Sequence, residues 1–481
     1  MKISIDKSSK VPVYLQIADQ IKAQIISGAL PRSSALPSER ALAQILDVHR
    51  NTVVKAYGEL KSDAWIESRQ GVGYLVASAS TEKEPVGESG EGVQMGRVNW
   101  VNEVADKYLD MEKTFDDLFQ RFTDESHFSL GSGIASREVY SSERVAHDIA
   151  GLLTGSGPSQ YFFSPYKGDR FLRQKLASFL GTKGVRASSG EIQILSETNQ
   201  ALDFIVTLLV KPGDSVVMEE PVHPDMYRVM ELAGARILTV PVDEDGMNCD
   251  VLESLLTQTR PRLIFVNSSF HDPTGCILSL ERRKKLVELS SRYRIPIVEE
   301  DAASELVYDG DKLPPIKAFD TTGNVIYIYS FSLTFIPGLS LAFVTGNRDF
   351  VRALSYLVSV RLMASDWMTQ KLLGMYLDDG SYYSSLATFR EIYSGNRDLV
   401  CQKLDALAHL GVRYERPRGG VYVWCRLPDG VDSKHFINRA YNMGVTLIPG
   451  HVFYPYKNGG RDYIRINYSY ESRERLACGM D

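Results

Sequence analysis

Between residues 192 and 344, short apolar runs recur with helical patterns between them. The runs are Ile192–Leu195, Ser215–Met218, Arg236–Val240, Leu263–Val266, Ile297–Glu299, Val325–Ile328 and Leu341–Val344. Helical stretches such as Gln200–Leu209, Pro224–Ala233 and Leu280–Tyr293 lie between most of them. A run that is apolar at successive positions reads as a strand covered on both faces, and intervening helices are what cover it. The spacing therefore predicts an α/β fold with a mostly parallel sheet. Further on, Gly419–Arg426 and Tyr463–Asn467 read as strands of a smaller α+β subdomain.

The last two runs bracket a polar turn. The stretch Tyr327 to Gly346 reads YIYSFSLTFIPGLSLAFVTG. It enters as a strand, turns at Ser330-Phe331-Ser332, bends at Pro337-Gly338 and leaves as a second strand. This resembles the S-x-S-K-x-x-x-P-G-x-R-x-G segment of fold-type I pyridoxal-phosphate (PLP) enzymes. In those enzymes the Lys forms the Schiff base and the Arg holds the cofactor phosphate. Ser330, Ser332, Thr334, Pro337 and Gly338 keep the frame, but Leu333 stands at the Lys position and Ser340 at the Arg position. A leucine has no amine and forms no imine.

The resemblance extends to class I/II aminotransferases over nearly all of residues 127–481. Tyr166-Lys167-Gly168 with Leu172-Arg173, Pro212-Gly213-Asp214, Glu219-Glu220-Pro221 and Asp272-Pro273-Thr274-Gly275 follow that family's motifs in order. By the resemblance, Asp301 sits where an Asp holds the pyridine nitrogen, and Arg465 where an Arg binds a substrate carboxylate. Further departures accumulate. Ala302 stands where a Tyr is expected, His223 near the ring-stacking Tyr, and Asp272 in place of an Asn. Ser196-Glu197-Thr198-Asn199 replaces a glycine-bearing turn that cradles the phosphate. A phosphate near −2 prefers donors and cations. Here two cations are lost, and Glu197 and Asp272 add carboxylates.

The first 78 residues have a different character. They hold ten Lys/Arg against seven Asp/Glu, about +3, whereas the whole chain carries −6. A slightly basic head on an acidic body fits a small DNA-binding module joined to something else. Val13 to about Ser27 forms an amphipathic helix closed by Gly28. Ser38 caps a second helix carrying Leu42, Ile45 and Leu46, and a turn at Asp47-Val48-His49 leads into a third, Arg50 to about Ser62. Trp65–Ser68 and Gly73–Val76 read as a hairpin around Arg69-Gln70-Gly71-Val72, a basic wing. Arg50 and Asn51 can pair with base edges in the major groove, while Thr52 and Lys55 suit phosphates. The stretch LPSER…VHRNTVVKAYGEL…GVGYLV resembles the GntR winged-helix family. That resemblance maps DNA contacts onto Arg40, His49, Arg50, Asn51, Thr52, Gln70 and Gly71, with His49 replacing a small hydroxyl residue.

Residues 79–126 read as a linker: a Gly/Ser/Glu-rich tether, then a helical pattern over 99–122. The five cysteines are scattered without C-x-x-C spacing, which argues for a reducing cytoplasm and against zinc. No apolar run reaches the roughly 18 residues a membrane span needs.

A GntR head fused to an aminotransferase-like domain is the architecture of MocR-type transcription regulators. The resemblance implies a homodimer that reads two half-sites of double-stranded DNA and senses a small effector. Leu333 implies no covalent PLP, so PLP or a PLP imine enters only non-covalently, and an active aminotransferase is the least favoured alternative. With Arg465 for a carboxylate and Asp272 and Asp301 for an amino group, an amino acid is the expected effector.

Overall fold

The computed structural model describes residues 3–5, 12–26, 29–31, 34–62, 65–69, 73–76, 126–136, 138–155, 165–336, 338–362 and 366–481. Gly28, Gln70, Gly71, Pro337, the 79–125 tether and the 99–122 helix lie outside the described residues. The chain divides into two compact units, within Met1–Val98 and Asn99–Asp481.

In the first unit, α1 (Val13–Ile26), α2 (Glu39–Ile45) and α3 (Arg50–Ser62) precede a hairpin of β1 (Ile66–Arg69) and β2 (Gly73–Val76). The hairpin is antiparallel, with Ile66 opposite Val76 and Arg69 opposite Gly73. Ile17 and Ile21 of α1, Leu42 of α2 and Val53, Tyr57 and Leu60 of α3 are buried together with Ile66 and Val76. The three helices are held by one small apolar core, as the i, i+3, i+4 spacing requires. Ser38 Oγ accepts the Ala41 N–H at 3.2 Å, capping α2 as expected.

The second unit is built on an eight-stranded sheet. Its strands are β4 (Ile192–Leu195), β5 (Ser215–Glu220), β6 (Arg236–Asp243), β7 (Gly246–Met247), β8 (Ile264–Asn267), β9 (Ile297–Asp301), β10 (Val325–Ser330) and β11 (Ala342–Thr345). The order is β4-β11-β10-β9-β8-β5-β6-β7. The five central strands from β10 to β6 pair in parallel, and β11 runs antiparallel to both neighbours. Each expected strand is present, shifted by at most a few residues. Both faces are covered, since Val216 and Met218 join one apolar cluster and Val217 between them joins another.

A short strand, β3 (Phe128–Ser129), and helices α4 (Ser142–Gly155) and α5 (Arg170–Thr182) precede the sheet. Helices α6 (Thr198–Leu209), α7 (Pro224–Leu232), α8 (Cys249–Gln258) and α9 (Leu280–Tyr293) link its strands, and α10 (Arg348–Arg361), α11 (Trp367–Asp379) and α12 (Ser381–Ala406) follow it. The C-terminal subdomain is a four-stranded antiparallel sheet. It contains β12 (Arg413–Tyr414), β13 (Tyr422–Arg426), β15 (Ile448–Pro449) and β16 (Tyr463–Asn467), with α13 (Ser433–Asn442), β14 (Val445–Thr446) and α14 (Arg473–Met480) around it. β14 pairs with β3, which ties the start of the unit to its end.

Candidate DNA interface and candidate effector cavity

The start of α3 in the first unit is exposed and well fixed. His49 Nδ1 accepts the Asn51 N–H at 3.2 Å, and His49 O accepts the Thr52 N–H at 2.9 Å. His49 thus does the capping work of the hydroxyl residue it replaces. Arg50, Asn51, Lys55, His49 and Arg40 are exposed and Thr52 is half-buried. Arg50 Nη2 meets Glu39 Oε2 at 2.9 Å, and Tyr74 donates to Glu39 Oε1 at 3.1 Å. One carboxylate therefore holds α2, α3 and the wing strand β2 in register. Lys55 Nζ lies 5.8 Å from the Tyr14 ring centre and remains free to swing outward.

In the second unit, a cavity of about 280 Å³ opens at the C-terminal ends of β8 and β9. This is where open α/β sheets bind ligands. Three polypeptide segments bring the expected residues to it. The start of α6 brings Glu197 and Thr198, the start of α7 brings His223 and Asp225, and the loop after β10 brings Ser332 and Leu333. Asp272 lines it as well. His223 Nδ1 accepts the Asp225 N–H at 3.3 Å as the cap of α7, and its Nε2 is 3.8 Å from Asp272 Oδ2. Ser330 is buried below the turn, where its Oγ accepts the Ser332 N–H at 3.2 Å. Ser340 does not line the cavity.

Two expectations fail. Asp301 does not face the cavity; its neighbour Glu300 does. Successive strand residues point to opposite faces, so only one of the two can. Asp301 instead accepts from Tyr327 Oη at 2.5 Å and from the Ser304 N–H at 2.9 Å, with Lys183 Nζ at 3.8 Å. Burial pushes its carboxyl up, but Lys183, Ser304 and Tyr327 outweigh this and hold it below the ordinary range. It belongs to a buried charge cluster in which Lys183 also meets Glu305 at 2.7 Å.

Arg465, in turn, is not open to a ligand carboxylate. Its Nη1 binds both oxygens of Asp272, at 2.8 and 2.7 Å, and its Nη2 donates to Gly131 O at 2.8 Å. The guanidinium stacks on Tyr422, 4.3 Å from the ring centre, and is only 2% exposed. The two groups expected to bind opposite ends of one ligand bind each other. Tyr422 forms both this shelf and part of the cavity wall. Lys317 is turned away and pairs with Asp320 at 2.8 Å.

Glu300 is the residue that sequence reasoning missed. It is 8% exposed, and its Oε2 accepts from Asn267 Nδ2. Burial, followed by the charges of Asp301 and Asp272, pushes its carboxyl up to about 8. Glu197 remains exposed as a residue, yet partial burial of its carboxyl raises it too. Four carboxylates line the cavity, from Glu197, Asp225, Asp272 and Glu300. Among the described residues no Lys or Arg does.

Residues 127–477 match the family described as aminotransferase class I and II. The chain belongs to that family. Residues 13–76 match the bacterial regulatory proteins of the gntR family, so the first unit is a GntR-type helix-turn-helix domain. The chain is similar to the HTH-type transcriptional regulator YisV of Bacillus subtilis, with 27% identity over 98% of this chain and 96% of the relative. It is also similar to the probable rhizopine catabolism regulatory protein MocR of Rhizobium meliloti, with 28% identity over 92% and 88% of the two chains. Among solved structures, it resembles kynurenine aminotransferase of Pyrococcus horikoshii, crystallised with PMP. The TM-score is 0.75 and the identity 26%, covering 79% of this chain and 96% of the enzyme.

Proposed function

We propose that this protein is a DNA-binding transcription regulator of MocR type whose aminotransferase-like unit senses a small molecule and performs no transamination. The observation that carries this reading is a GntR head with exposed Arg50, Asn51 and Lys55, on one chain with a cavity lined by Leu333 and, among the described residues, by no lysine. The full-length likeness to YisV and MocR, both named as regulators, supports it. We assign residues 1–78 to the DNA-binding domain, 79–126 to a linker and 127–481 to dimerisation and sensing. A homodimer would present two heads to two half-sites, and DNA as partner places the protein in the cytoplasm.

The kynurenine aminotransferase relative holds PMP, so the cofactor has to be tested against the residues present here. A phosphate dianion needs cations or convergent donors. The cavity offers it four carboxylates and, among the described residues, no lysine or arginine. Transamination also needs an amine to hold the cofactor and move a proton, and Leu333 supplies neither. The residues do not fit PLP as a bound catalytic group. The test is a mobility shift with full-length protein on its own promoter region. Wild type should retard specific DNA, and Arg50→Ala should retard it markedly less. Unchanged specific binding by that variant rejects the reading.

A further inference from the structure

Two side-chain oxygens on the neighbouring strands β8 and β9, in Asn267 and Glu300, stand without a hydrogen-bond donor among the described residues. Glu300 Oε2 takes the Asn267 amide N–H, and among the described residues Glu300 Oε1 has no hydrogen-bond partner. Asn267 lines the same cavity, and its buried Oδ1 is also without a partner. The carboxylate opposite fixes the Asn267 amide with its nitrogen inward, so its oxygen is the end left over. The hydroxyls of Thr198 and Ser332 also line the cavity, but once Glu300 is ionised these two oxygens only accept. Glu197 adds a third acceptor at the start of α6.

Charge points the same way. Asp272 is already compensated by Arg465, and Asp225 lies 3.5 Å from Arg228. Glu300 has no cation within ion-pair distance among the described residues, although it is nine-tenths buried. Without a counter-ion burial keeps Glu300 protonated at neutral pH, and a ligand that brings the counter-ion favours its carboxylate. Leu333, Met226 and Phe270 supply apolar wall to the same space, beside the polar Thr198, Asn199, His223 and Ser332. Its volume, about 280 Å³, is at the small end of ligand sites.

We propose that this cavity binds a small organic cation, a primary amine. Its ammonium sits between Glu300 Oε1 and Asn267 Oδ1, and its hydrocarbon part lies against Leu333, Met226 and Phe270. An ammonium has three N–H donors and no acceptor, which complements the open atoms. No ligand carboxylate is required, because Arg465 is committed to Asp272. The inference names the effector class for the sensing role proposed above, and rests on that role only for its biological meaning.

Calorimetry on the full chain tests it, with butylamine, 1,4-diaminobutane, butyrate, inorganic phosphate and PLP as probes. At least one amine should bind, while butyrate, phosphate and PLP should not. Glu300→Gln should weaken the amine at least tenfold. Asn267→Ala should weaken it severalfold, and it reads the same contact should Glu300→Gln fold poorly. Absence of amine binding at millimolar concentration, tighter binding of PLP than of any amine, or unchanged amine affinity in a folded Glu300→Gln would each overturn the proposal. A parallel mobility shift separates the two readings. If an amine binds but DNA retention does not change, sensing fails and the ligand assignment stands.

Discussion

The two units use charge in opposite ways. On the head, cations stand at the exposed start of α3, and a carboxylate near them, Glu39, steadies Arg50 without burying it. In the large unit the carboxylates line a cavity, and a buried guanidinium, Arg465, is held by one of them. An exposed cation stays solvated and can exchange a protein partner for a DNA phosphate or base at little cost. A buried carboxylate lacks that freedom, so its state is set by what enters the cavity.

The largest test of this contrast removes Asp272. Asp272→Ala leaves Arg465 buried and uncompensated, and chemical denaturation should show a loss of about 3–5 kcal/mol. Replacing both residues with leucine should recover most of it. A loss below about 1 kcal/mol would mean that the pair is as loosely held as Arg50 and Glu39. Next in size is Arg50→Ala on the head, which should cost about 1–3 kcal/mol of specific DNA affinity while leaving the melting temperature nearly unchanged. A variant that loses DNA binding only because it unfolds would show that the Glu39 contact is structural.

Glu300 supplies a test with a pH signature. Its folded carboxyl titrates near 8, above its ordinary 4.5, so the folded state holds the proton more tightly than the unfolded chain does. The associated stability is fully present below about pH 4.5 and is lost as pH rises through 8. Glu300→Gln should flatten this decline, gaining about 1–2 kcal/mol over wild type at pH 8.5 in thermal melts, and little at pH 5. Parallel curves for the two proteins would show that the carboxyl is solvated after all. The smallest effect is expected from Lys55→Ala. It should weaken DNA binding by under about 1 kcal/mol across sequences and reduce the slope against salt by about one.

Much of this architecture is readable from residues alone, for reasons that also explain the failures. The parallel strands are continuous apolar runs between turn residues, and the three head helices carry their own caps and spacing. The same continuity hides the site. All five residues of β9 are buried, so no alternation of polarity says which of Glu300 and Asp301 faces the ligand. The phase is set by pairing with β8, where Asn267 stands opposite Glu300. The Arg465–Asp272 pair joins positions 193 apart in the chain, and no local pattern announces it. His49 was legible as a replacement, but its capping role depends on a ring nitrogen reaching forward to the Asn51 N–H.

The Arg465–Asp272 pair has one more consequence. Amino acids and 2-oxo acids are abundant in any cell, and a fold shared with aminotransferases is exposed to all of them. A carboxylate arriving at Arg465 must first evict one that is tethered, bidentate and out of water. That competition favours the resident strongly, since a tethered group competes at high effective concentration. The pair therefore works as insulation. On the sensing role proposed above, it would turn carboxylate ligands away and leave Glu300 open to a ligand of a different charge.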